Sequence, residues 1–486
     1  MRDINIFFKE KPLKMMCLGF SSGLPILLVF STLSVWLVKA GVSRSTVTLF
    51  SWAGFAYAFK YLWSPLIDNY KLPFLKQFGH RKSWLFLSQL LIIFTLILTA
   101  FTDPQYNLFF TALFISLLAF FSATQDILID AFRIESAPQS QQGPLSSMYI
   151  AGYRVAMLTA GAGSLWLAAF FGTETYNQDV WKKVYLIMSL FMLVGIFTTI
   201  YSKEPRIKKK FNKDNHFRFF LTILFAVLGF IILYSIIDNP YGKNDILLSF
   251  IFSFARLVGC FIFAFFIIYF LIILNFASKE KISISYLSPI TNFLKRYGKF
   301  AFFILLLISL YRIADVVMGV MANIFYLEKG YKISEIATFS KFFGVFATII
   351  GGFIGGYCSY KFGTMKALFF GALVAALSNL LFAWLAISPT SINFLIAVIT
   401  ADNISSGFAG AAFVIYLSGL TSIKFTATQY ALFSSIMLFL PKLIAGYAGS
   451  WVDIMGYAYF FSFTAFLGIP VLILIIWIGK VAPIKN

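Results

Sequence analysis

The chain has 486 residues, of which 60% are apolar and 12% charged, with 61 Phe and a formal net charge of +20. Soluble domains carry about 45–50% apolar and about 25% charged residues, and a single soluble core stops growing at roughly 250–300 residues. The composition therefore excludes one water-soluble globule and indicates a polytopic membrane protein.

A membrane span needs about 20 largely apolar residues. The first run, 15–38, is too long for the apolar part of a signal peptide and lacks a small-residue cleavage pattern, so it reads as a retained helix. Further spans are expected at 46–67, 83–101, 107–131, 145–171 and 181–201. An extra pair follows at about 219–237 and 246–276, then six more at 300–325, 334–357, 367–386, 391–420, 427–449 and 457–479. The expected fold is all-α, with about 14 transmembrane helices. Two six-helix bundles, 1–201 and 300–486, flank a basic linker, 202–299, that holds the inserted pair.

Most of the 39 Lys and Arg fall in short loops on one side of this alternation, as the positive-inside rule expects of cytoplasmic loops. The run from Lys203 through Lys208, Lys209 and Lys210 to Lys213 and Arg218 puts the middle of the chain inside. An even number of spans, with both termini cytoplasmic, follows. The same placement argues against nucleic acid as a partner, because no basic stripe alternates with exposed aromatics on a soluble domain. Membrane lipid is the partner left, with anionic headgroups available to the 203–218 run. Cys17, Cys260 and Cys358 have no metal-ligand spacing and are odd in number, so they read as packing residues; neither metal nor cofactor is expected.

Each Asp, Lys or Arg at a helix centre costs about 2.5–3.5 kcal/mol on an insertion scale, so such a group must face a cavity or a partner. The intramembrane charges here are Lys60, Asp126, Asp130, Arg154, Arg256, Arg312, Asp315, Lys341, Asp402 and Lys442. Asp126 and Asp130, four residues apart, share one helical face, with Arg133 a turn further on. Two carboxylates brought together in a low dielectric cannot both stay ionised cheaply, so one can take up and release a proton; the alternative is a structural pair answered by Lys or Arg of a neighbouring helix. His80 and His216 both fall in loops, which leaves carboxylates as the proton carriers. Arg312 and Asp315 can pair within their own helix, Asp402 faces the same choice between structure and function, and Arg256 reads as structural. Tyr57, Trp63 and Tyr153 lie within three residues of Lys60 or Arg154 and are candidates to stack against a ligand. Nothing resembles the nucleophile–base set or metal cluster of an enzyme.

The loop with Ser64-Pro65-Leu66-Ile67-Asp68 and Gly79-His80-Arg81-Lys82 resembles a degenerate G-x-x-x-D-R-x-G-R loop of major facilitator transporters. Gly355-Gly356-Tyr357 with Tyr360-Lys361-Phe362-Gly363 echoes it in the second half, as a two-bundle repeat architecture would. A second echo, Ala123-Thr124-Gln125 and Ala427-Thr428-Gln429, falls on non-equivalent helices and reads as coincidence. The stretch Phe59-Lys60-Tyr61-Leu62-Trp63-Ser64-Pro65-Leu66-Ile67-Asp68 is similar to the F-K-[FY]-L-W-S-P-L-x-D of the muropeptide permease (AmpG) family of that superfamily. Ser122 to Ala131 resembles the family's S-A-[ST]-Q-D-I-x-x-D-A, Gly152-Tyr153-Arg154 its G-Y-R, and Ala347-Thr348-Ile349 and Phe425 to Leu432 continue the match. The extra pair departs from the fourteen-segment members, which carry theirs after the twelfth core helix.

This resemblance implies a monomeric symporter that imports anhydromuropeptides with protons by alternating access, from periplasm to cytoplasm across the bacterial inner membrane. Asp126 and Asp130 fall on the family's acidic positions. A sugar–peptide with free carboxylates would meet Lys60, Arg154, Arg312, Lys341 and Lys442, with Gln125, Tyr57, Trp63, Tyr153, Asp315 and Asp402 completing the candidate substrate site. An uncoupled facilitator, or a transporter of another small anionic or sugar–peptide solute, would use the same architecture.

Overall fold

A computed structural model of the chain describes residues 4–42, 50–172, 176–205, 216–237, 240, 246–331, 333–445 and 447–481, and every regular element among them is a helix. The first bundle contains α1 (Glu10–Lys39), α2 (residues 50–69), α3 (His80–Ala100), α4 (Leu108–Ser136), α5 (Gln139–Phe171) and α6 (Gln178–Tyr201). The inserted pair is α7 (His216–Ile236) and α8 (Ile246–Ile273). An amphipathic linker helix at residues 279–297 leads to the second bundle: α9 (residues 301–328), α10 (residues 333–362), α11 (Thr364–Ile387), α12 (Ile392–Leu420), α13 (Thr426–Ala445) and α14 (Ala448–Val481).

Eleven helices among the described residues are long and apolar enough to cross a membrane. The other three expected spans are helical as well, and two of them are interrupted. The second is a chain of four brief helical pieces, with a tight turn at Lys60–Leu62. α7 runs over His216–Ile236, and α10 opens into a wide π turn at Ala337–Phe343. Pro25, which cannot donate to the helix ladder, lies one turn before the break at Phe30 that bends α1.

Small residues bring backbones close where lipid offers no hydrophobic drive between helices. A Cβ on Gly19 or Gly23 of α1 would collide with the carbonyls of Tyr149 and Tyr153 in α5. The second bundle repeats the device with different helices: Gly351 and Gly355 of α10 lie against Ile404 and Phe408 of α12. Around these seams lie two large apolar cores, one built from residues such as Leu28, Trp36, Ile92 and Trp181, the other from Tyr311, Phe382, Phe413 and Phe461.

The start of α1 meets the ends of α4 and α6 through Lys11, which donates to the Ser136 carbonyl at 2.8 Å, and Lys14, which donates to that of Tyr201 at 2.7 Å. The linker helix lies on this same face, here called the linker face. Toward it the bundles are joined. Ser147 of α5 donates to the Gly352 carbonyl of α10 at 2.9 Å, Gln139 donates to that of Ile415 at 3.1 Å, and Phe7 packs edge-on against Phe353.

The inserted pair lies beside α2. Phe59 meets Phe230 and Phe261 edge-on, at 5.2 and 5.9 Å, and Phe219 stacks on Tyr286 of the linker helix. Arg256 finds partners inside the pair, lying 3.8 Å over the Tyr234 ring and donating to the Tyr234 carbonyl. Phe265, Phe266 and Phe270 are exposed on its outer side, as a lipid-facing surface requires.

Candidate functional site

The helical repeat of α4 aims Asp126, Asp130 and Arg133 the same way, and all three are buried. The two acids have separate partners. Asp126 accepts a hydrogen bond from Ser22 of α1, whose hydroxyl lies 3.0 Å from that of Tyr149 in α5. Asp130 is held between two cations: Lys60 Nζ lies 4.0 Å from Oδ2, and Arg133 Nη2 donates to Oδ1 at 3.2 Å. The broken course of α2 sets Lys60 here, because its tight turn begins at that residue.

Arg133 reaches further than its place on the acidic face suggests. Its Nη1 donates to Ser146 at 2.9 Å, to Gln142 at 3.3 Å and, in the other bundle, to Ser418 of α12 at 2.9 Å. The guanidinium also lies over the ring of Tyr430 in α13, 5.4 Å from its centroid. The only sequence signal was a charged residue one turn beyond two buried acids.

Several other candidates hold the first bundle together. Gln125 uses both ends of its amide on Ser21: its oxygen accepts from the hydroxyl and its nitrogen donates to the carbonyl, each at 2.9 Å. Trp63 donates to Thr124 at 3.0 Å and lies against Phe120. Tyr57 packs on Phe30, and Tyr153 on Tyr149.

In the second bundle Arg312 Nε pairs with Asp315 Oδ2 at 3.0 Å within α9, and Nη2 reaches Ser406 of α12 at 3.3 Å. Asp402 lies within electrostatic range of both members of that pair. Its neighbour Asn403 accepts from Thr348 at 3.0 Å. Arg154 donates only to the Met157 sulfur, at 3.7 Å, and has no carboxylate partner among the described residues; its charge is felt across the bundles by Arg312. Lys442 is exposed on α13, away from the acidic cluster. The Lys341 side chain and the basic residues 206–215 lie outside the described residues. Among the described residues, no group of His, Cys, Asp and Glu could hold a metal ion.

A second charged cluster closes the linker face. Arg81 is fully buried and donates to Asp68 at 2.7 Å and, through two nitrogens, to Glu135 at 2.6 and 2.9 Å. Asp68 also accepts from the backbone and hydroxyl of Thr428, both at 2.8 Å, and from the Ala427 N–H at 3.3 Å. A carboxylate is thus held on the N-terminus of α13, where free N–H groups and the helix dipole favour negative charge. The stretch that echoes this loop in the second half is helical at Gly355 and Gly356, which lie in α10 against Phe408 and Ser147 instead.

The family model of the Major Facilitator Superfamily matches residues 15–329. The chain belongs to the Major Facilitator Superfamily. Within it, "Putative transporter AmpG 4" of Rickettsia felis is 32% identical over 98% of each chain, and its namesake in Rickettsia conorii is 31% identical over 99% of each. "Putative transporter AmpG 1" of Rickettsia felis is 30% identical over 94% of this chain and 96% of its own. These matches put the chain in the AmpG family. Among solved structures, the proton:xylose symporter XylE aligns with a TM-score of 0.60 over 99% of this chain and 96% of its own. FucP in the outward conformation aligns with 0.61 over 97% and 99%. Both are 12% identical, so they speak for the two-bundle fold alone. This is a membrane-integral transporter of the superfamily.

Proposed function

We propose that this transporter imports anhydromuropeptides with protons across the bacterial inner membrane, by alternating access, with the linker face and both termini cytoplasmic. It works as a monomer of two bundles, 1–201 and 300–486, around the 202–299 linker. The observation that carries the coupling is Asp130, a buried acid between Lys60 and Arg133. A carboxylate so placed changes the charge balance of the whole cluster when it gains a proton. Asp126, hydrogen-bonded to Ser22, is the second acid available to the proton. Arg154, free of carboxylate partners among the described residues, is suited to a substrate carboxylate through a bidentate pair. Arg312 faces it from the second bundle, and the AmpG names of the relatives supply the substrate class.

The test is uptake of labelled anhydromuropeptide into proteoliposomes under an imposed pH gradient. Accumulation above equilibrium that collapses with an uncoupler is expected. Equilibration without accumulation would make the protein a facilitator, and absence of flux would assign it another anionic or sugar–peptide solute.

A further inference from the structure

Arg133 joins the acidic cluster to the contact between the bundles through one side chain. Its guanidinium is fully buried, and a guanidinium keeps its charge at any physiological pH. Its position is therefore set by its counter-charge, and the carboxylate paired with it is Asp130, at 3.2 Å. The partners on its other side are neutral: Ser418 of α12 at 2.9 Å and the ring of Tyr430 of α13 at 5.4 Å. Those two belong to the second bundle and lie toward the linker face.

We infer that Arg133 is the positioning residue that ties closure of the linker face to the charge of Asp130. Ionised Asp130 holds the guanidinium against Ser418 and Tyr430, and the bundles stay joined. When Asp130 takes a proton, the Arg133 guanidinium loses its paired carboxylate while still fully buried, an arrangement that is costly to keep dry. The guanidinium then withdraws, α12 and α13 lose its hydrogen bond and its face, and the linker face opens. For an importer this is the productive order, because the loaded, protonated state is the one that must open inward. The inference rests on the reading of Asp130 as a coupling acid.

The groups facing Asp130 are Lys60 from α2, Asp126 and Arg133 on its own helix, Tyr149 and Tyr153 from α5 and Tyr430 from α13. The tyrosines are neutral at physiological pH, so the acids are the groups that answer a proton. Asp126 bonds Ser22 within the first bundle and, among the described residues, has no hydrogen bond to the second. Its protonation leaves Arg133 in place.

The experiment is a spin-label distance between Ser140 and Lys366, exposed positions on the linker face of the two bundles, in the full chain with its three cysteines replaced by serine. In the parent, acid pH should shift the distribution to longer distances. Arg133→Gln and Asp130→Asn should each give the long distance at both acid and alkaline pH, and the double variant should add nothing. Asp126→Asn should keep the pH response. If Arg133→Gln folds poorly, Ser418→Ala with Tyr430→Leu removes the receiving side and should likewise abolish the response. A pH shift of parental size in Arg133→Gln, or in the Ser418/Tyr430 variant, overturns the inference. Gradient-driven uptake in the same preparations separates the two failures. If Asp130→Asn still accumulates substrate, the coupling reading fails; if it does not, but the pH shift survives without Arg133, only the role of Arg133 fails.

Discussion

In the first bundle the counter-charges of Asp130 come from another helix, through Lys60, and from Arg133, which also grips the opposite bundle. In the second bundle Arg312 answers Asp315 three residues along the same helix. The contrast separates charge pairs that can drive motion from those that cannot. A pair closed within one helix moves as a unit, so changing its charge leaves the relation between bundles almost untouched. A pair distributed over α2, α4, α12 and α13 must be rearranged when the bundles part. The latch of Asp68, Arg81 and Glu135 follows the distributed pattern as well, since its acid caps a helix of the other bundle.

Neutralising single acids in each bundle should separate the two kinds of pair. Asp→Asn keeps shape and most hydrogen bonding but cannot titrate. Asp130→Asn and Asp126→Asn should reduce gradient-driven accumulation to the equilibrated level while leaving counterflow exchange. Asp315→Asn should retain accumulation. Equal loss from both bundles would erase the distinction.

Next in size is Arg154, the cation that lacks a carboxylate partner among the described residues. A charge-assisted bond contributes about 1.5–3 kcal/mol, so Arg154→Gln should raise the half-saturating concentration by roughly ten- to a hundredfold, each tenfold being about 1.4 kcal/mol. Arg154→Lys, which keeps charge but loses the bidentate fork, should raise it less. Unchanged half-saturation in both would return Arg154 to a structural role.

The inserted pair lies to one side of this contrast: it packs on α2 through Phe59, and its Ser253 meets Tyr447, just past α13, at 3.2 Å. Removing 219–276 and rejoining the linker should lower folded yield more than transport per folded molecule. Well-folded protein with no flux would place the pair in the transport path.

The smallest expected effect lies at the linker face. Glu204 caps the start of α3 by accepting from the backbone N–H groups of Arg81 and Lys82, at 2.8 and 3.0 Å. Burial nevertheless pushes its carboxyl above the ordinary glutamate range, and those bonds offset this only in part. A folded-state value above the unfolded one means that the stabilisation is complete below the ordinary value and is lost as pH rises through the raised one. Melting temperature should therefore fall slightly across that window in the parent, and Glu204→Gln should flatten the slope. An unchanged slope would assign the pH dependence to another group.

The fold was legible because apolar runs about 20 residues long can hardly be anything but spans. Breaks within a run were less visible: 46–67 reads as one apolar stretch, yet its helix changes pitch at Lys60 and re-forms at Ser64. Conversely, α4 continues to Ser136, past the expected end at 131, because Arg133 and Glu135 find buried partners that let polar residues stay helical. The acidic face was readable from a spacing of four. Its partners were not, since Ser418 lies 285 residues from Arg133 and Thr428 lies 360 from Asp68. Gln125 and Gln429 show how little a shared tripeptide says by itself. The first ties α4 to α1, while the second accepts from Ser422 at 2.7 Å and donates to Pro289 of the linker helix at 2.8 Å.

Coupling requires that substrate and proton move together through the α4 acids. It is tested most directly in proteoliposomes that start with equal pH on both sides and report internal pH with a trapped dye. Downhill entry of anhydromuropeptide should acidify the lumen in the parent protein, and Asp130→Asn should pass substrate without the pH change. Parental substrate flux with no acidification would contradict the account.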